Sequence, residues 1–128
     1  MINVRLAAVF ALTLLALPAL AQSPEVRLSR DQRVQIEIAM RRGRMKAENC
    51  PRTVGVDAPF AEVAVTVVAN GTKGRFTDAT VGEPAAGSAL ESCIRRAFIG
   101  EIIVPFEGEA LSLRCTIRLA PKEALPEK

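Results

Sequence analysis

Residues 61–81 read AEVAVTVVANGTKGRFTDATV, and this stretch decides the fold. Val63, Val65 and Val67 alternate with Ala64, Thr66 and Val68, the period-two pattern of a strand with one buried face. Asn70-Gly71-Thr72-Lys73-Gly74 follows, a tight turn because Asn and Gly tolerate positive φ. Arg75 to Val81 then returns as a second strand. The stretch therefore predicts an antiparallel hairpin of Ala61–Ala69 with Arg75–Val81, with the three odd-numbered valines in the core.

The flanks supply the layer that covers those valines. Downstream, residues 82–87 form a loop containing Pro84. Ser88 then reads as a helix N-cap with Glu91 completing a capping box. Leu90, Cys93, Ile94, Ala97 and Phe98 share one helical face, and Gly100 closes the helix. After the turn Val104-Pro105-Phe106-Glu107-Gly108, a third strand runs from Leu111 to Leu119. In it Leu111, Leu113, Cys115, Ile117 and Leu119 face inward, and Ser112, Arg114, Thr116 and Arg118 outward.

Upstream, Ser29 and Gln32 form another capping box. Arg30 to about Asn49 is rich in helix-forming residues. Val34, Ile36, Ile38 and Met40 also alternate with polar or small residues, a strand-like rival reading. The cap and the continuation Met45-Lys46-Ala47-Glu48 favour the helix, which Pro51 is expected to stop before a loop over 53–59. No internal repeats are present. The sum is an α+β domain over 29–120, with a small antiparallel sheet of about three strands and two helices on one face.

The chain opens MINVRLAAVFALTLLALPALAQ: a positive charge at Arg5, an apolar run from Leu6 to Leu17, then Pro18 and the small-x-small triplet Ala19-Leu20-Ala21. That order is a secretory signal peptide over 1–21, cleaved between Ala21 and Gln22. The apolar run is shorter than the ~20 residues a membrane-spanning helix needs. No membrane anchor is expected after cleavage, and the mature chain is expected to be periplasmic or secreted. Residues 22–28 read as a flexible lead, and 121–128 as a disordered tail.

Composition narrows the function classes. The net charge is +3, and loss of Arg5 with the signal leaves +2. Between Arg27 and Arg52 there are eight basic and three acidic residues; beyond it there are eight basic and ten acidic. A basic N-terminal arm on a slightly acidic body suits phosphate, lipid head groups or an acidic protein, or simply a solvated helix face. Nucleic acid is disfavoured by export and by the absence of Trp and Tyr for base stacking. The chain has no histidine, which removes Ser-His-Asp and Cys-His catalysis and every His-ligated metal site. No cofactor or metal is expected, and the chain reads as non-enzymatic. Its three cysteines, Cys50, Cys93 and Cys115, imply one disulfide and a spare thiol, or an intermolecular bond, in an oxidising compartment. Spacing alone does not choose among the three pairings.

The order helix, hairpin, helix, turn, strand resembles the TonB C-terminal-like family, closest to the short exported versions found with bacterial envelope and gliding-motility proteins. The resemblance runs from Cys50 to Leu119. It rests on the cysteine ending the first helix, the valine strand, Ser92-Cys93-Ile94 in the second helix, Val104-Pro105-Phe106-Glu107-Gly108 and the closing strand. It implies a disulfide between Cys50 and Cys93, and a binding scaffold. Membrane-energised TonB proteins keep an uncleaved anchor and a long Pro-rich spacer; this chain is expected to have neither.

Other candidate groups carry less. Cys115 reads as a core thiol with no evident general base. Arg95, Arg96, Arg114 and Arg118 read as solvated faces, with a carboxylate- or phosphate-binding patch as the sharper alternative. Glu107 and Glu109 flank a turn glycine with nothing to perturb either carboxylate. The chain thus reads as an exported interaction or structural domain of the cell envelope, with an unidentified envelope protein as partner and strand addition as mechanism. The alternative is a small secreted hydrolase or inhibitor whose basic helix meets an acidic target. Protein recovered from the periplasm or medium is expected to begin at Gln22 by N-terminal sequencing; a membrane-bound product retaining Met1 would refute the export reading.

Overall fold

A computed structural model describes residues 26–122. The expected signal peptide with its expected Ala21–Gln22 cleavage site, the start of the lead and all but the first two residues of the tail lie outside the described residues. The element order is α1 (Arg30–Glu48), α2 (Cys50–Val54), β1 (Glu62–Asn70), β2 (Arg75–Val81), α3 (Glu91–Phe98) and β3 (Leu111–Arg118). The three strands form one antiparallel sheet in the order β2-β1-β3. The architecture is α+β, with three helices where the sequence reading has two.

Val63, Val65, Val67 and Ala69 of β1 are buried, and join Phe76, Ala79, Val81, Leu90, Ile94, Phe98 and Ile117 in one core. The opposite sheet face carries exposed Ala64, Thr80, Arg114 and Thr116. Alternation of buried and exposed residues along β1 is thus the origin of the two-layer fold.

The hairpin turn works differently from its sequence reading. Asn70 does not adopt positive φ; its Oδ1 accepts a hydrogen bond from the Lys73 amide at 3.0 Å. Gly74 alone in this turn has positive φ, at 63°. Gly71 is required for closeness, because a Cβ there would strike the backbone carbonyl and ring of Phe106. A bulge between Val68 and Ala69 shifts the β1–β2 register by one residue.

α1 forms as a helix, and the strand alternative is excluded. The Ser29 hydroxyl accepts from the Gln32 amide at 3.2 Å, and the Gln32 side chain accepts from the Ser29 amide at 2.7 Å. Pro51 does not stop the helical region. The break falls at Asn49, and Pro51 sits in the first turn of α2, where its missing N–H costs no helical bond. The loop therefore starts later, at Gly55, which has φ 78°.

α3 begins three residues beyond the expected cap. The Ser88 hydroxyl donates to the Ala85 carbonyl, and Glu91 reaches back to the Gly87 amide at 2.9 Å. The chain from Gly82 to Ser88 is wound into tight turns that already use these groups. Val26 and Leu28, placed in the flexible lead, are partly buried against the core.

α1 and α3 approach closely because Gly43 faces the Phe98 ring. Phe98 is fully buried, so the ring has no room to retreat. Gly43→Ala gains helix propensity worth about 1 kcal/mol, but forces overlap that costs roughly 1–3 kcal/mol. The variant is expected to be less stable in urea unfolding despite its better helix former; unchanged or raised stability would refute this packing.

Candidate functional site

The hydrogen-bond parity of β1 decides which groups remain free. The Leu119 amide donates to the Ala61 carbonyl at 2.9 Å, and the Gly82 amide to the Ala64 carbonyl at 2.8 Å. With the observed registers, odd-numbered β1 residues bond β3 and even-numbered ones bond β2. On β3, the backbone groups of Leu111, Leu113, Cys115 and Ile117 are therefore spent on β1. Those of Ser112, Arg114, Thr116 and Arg118 point away from the sheet, with no backbone partner among the described residues.

The other edge is blocked at Phe76 and Ala79. The outward N–H of Phe76 donates to the Glu101 carbonyl, and its carbonyl accepts from the Gly100 amide, both at 2.9 Å. At Ala79 the carbonyl accepts from Arg95 Nε at 2.9 Å, and the amide donates to Asp78 Oδ1 at 2.9 Å. Arg95 also pairs with Asp78 at 3.2 Å, which holds the guanidinium over the edge. Natural sheets block edges in such ways to prevent unwanted pairing.

A groove of about 400 Å³ runs between α1 and the open edge. Ile36, Met40 and Leu113 supply its apolar lining; Arg41, Arg44 and Arg114 supply positive charge, and Glu37 is its one carboxylate. Cys115 also lines it, half-buried. Burial pushes the Cys115 thiol up from its ordinary value, against a smaller lowering by the Arg44 charge, so the thiol keeps its proton at neutral pH. A larger depression of about 740 Å³ lies by the hairpin turn, lined by Arg27, Gln32, Thr72 and the 105–108 turn. It gathers one basic and one acidic side chain, Arg27 and Glu107.

The structure places the remaining candidates apart. Of the three cysteine pairings it contains Cys50–Cys93, with Cα atoms 5.8 Å apart, tying α2 to α3. Arg96 lies along its own helix, bonded to the Ser92 carbonyl at 3.3 Å, and does not converge with Arg95. Arg118 pairs with Glu62 on β1 at 3.5 Å, whereas Arg114 faces Thr66. Glu107 and Glu109 are exposed on the turn. Among the described residues, no three His, Cys, Asp or Glu side chains gather to hold a metal, and no helix is long and apolar enough to cross a membrane. The contribution of α1 to the groove was missed in sequence, though the same residues drew notice as a basic arm.

Comparison of the chain with protein-family models, curated proteins and solved structures finds no match.

The cysteine arrangement is directly testable. The disulfide spans 43 positions. Its removal in a Cys50→Ala/Cys93→Ala variant is expected to cost about 3–4 kcal/mol in urea unfolding. Unfolding without reductant should expose one thiol per chain. In the native protein, Cys115 labelling should be slow at neutral pH and accelerate as pH rises past the ordinary thiol range. Because the folded chain holds that proton more tightly than the unfolded one, stability should fall over the same rise, less so in Cys115→Ser.

Proposed function

We propose that this chain is an exported, non-enzymatic protein-interaction domain of the bacterial cell envelope that binds an extended partner segment along β3. The observation that carries the reading is the asymmetry of the sheet: the β2 edge is occupied by Gly100, Glu101, Arg95 and Asp78, while the β3 edge from Ser112 to Arg118 has no backbone partner among the described residues. An extended chain laid there pairs with the outward N–H and C=O groups of Ser112, Arg114, Thr116 and Arg118. The adjoining groove receives every second side chain of that segment. The signal-like opening, the disulfide and the TonB C-terminal-like order of elements all support placement outside the inner membrane, in the periplasm or beyond.

Thr116→Pro tests the reading. It removes an outward N–H while leaving every β1–β3 hydrogen bond available, a position at which edge strands accept proline. The variant is expected to keep the fold and lose peptide binding. In the unaltered protein, a bound extended peptide should slow hydrogen exchange at the Arg114, Thr116 and Arg118 amides and leave Phe76 unchanged. Binding without protection of those three amides would refute strand addition.

A further inference from the structure

The charge of the groove specifies the kind of segment it takes. We infer that the β3 edge selects an extended peptide in which apolar residues alternate with acidic ones; this rests on the strand-addition reading above. Arg41 and Arg44 stand on the α1 wall and Arg114 on the edge strand itself, against a single carboxylate, Glu37. Among the described residues the ion pairs are Lys46–Glu101, Arg95–Asp78 and Arg118–Glu62, so none of these three groove arginines has a carboxylate within pairing distance.

The parity of β3 assigns the two charge positions to opposite faces of an added strand. Leu113 and Cys115 point to the α1 side, where Ile36 and Met40 offer apolar contact below and Arg41 and Arg44 line the wall. Arg114 and Arg118 point to the exposed face. On β1 the residue opposite Arg118 is Glu62, which pairs with it; the residue opposite Arg114 is Thr66, which leaves its charge unanswered. A cross-strand acid on the incoming chain supplies that missing partner, since opposite charges facing each other stabilise a strand pair and like charges oppose it. Apolar side chains fill the groove on the other face. A second copy of β3 is the poorer occupant on charge, because it brings the same arginines to the same edge.

The test uses short capped peptides alternating valine with glutamate, glutamine or lysine, one of each sequence also N-methylated on alternate residues to prevent self-assembly. Binding to the mature protein is read by fluorescence anisotropy, by amide exchange at β3 and by slowed labelling of Cys115. The glutamate peptide is expected to bind about tenfold tighter than the glutamine peptide at low salt, and the lysine peptide weakest. The gap should narrow in high salt. Arg114→Glu should shrink or reverse the glutamate preference, whereas Arg44→Glu, on the face that takes the valines, should change it less. Equal binding of all three peptides with β3 protection would overturn the charge selection and leave strand addition standing. Binding by none would overturn both. Protection of the β3 amides by raised protein concentration alone, with a doubled sedimenting mass, would assign the edge to a second copy and overturn the peptide reading.

Discussion

The structure depends on β1 being hydrogen-bonded on both sides. Its even-numbered backbone groups are committed to β2 and its odd-numbered ones to β3. Its odd-numbered side chains form the floor of the core and its even-numbered ones the outer face. One strand therefore sets the sheet order, the inside and outside of the molecule, and the set of backbone groups left over on β3. The candidate site is what remains after β1 has been satisfied.

The helical layer is held to this sheet by two contacts of different kinds. The Cys50–Cys93 disulfide joins the short helix after α1 to α3. Between α1 and α3, Gly43 lets the buried Phe98 ring lie against the α1 backbone. Together they fix α1 beside β3, where the Ala120 amide just past the strand donates to the Glu48 carbonyl at 2.9 Å, and the gap between α1 and the strand is the groove. On the other side, residues 99–103 and the Arg95–Asp78 pair occupy the β2 edge. The proposed binding site is confined to one edge because the chain itself occupies the other at Phe76 and Ala79.

Much of the fold was legible because local chemistry and global burial agree. The alternating valines, the capping box at Ser29 and the amphipathic pattern around Ile94 each have a nearest-neighbour cause and survive in the structure. Misreadings arose where a residue has two local uses. Pro51 can end a helix or begin one, and the kink at Asn49 selects the second. Ser88 can cap a helix or close a turn, and the winding of 82–88 selects the second.

The sequence by itself determined the strands, their buried faces, the principal helices and the excess of arginine in the N-terminal arm, because periodicity, capping and charge are properties of neighbouring residues. Only the tertiary structure decided which edge is open and which arginines meet there. Arg44 and Arg114 are distant in sequence and become neighbours through the placement of α1 beside β3. Arg95 closes the β2 edge by reaching an Ala79 carbonyl 16 residues away. Edges, grooves and unpaired charges are remainders of long-range pairing, and no local pattern encodes what distant residues leave unused.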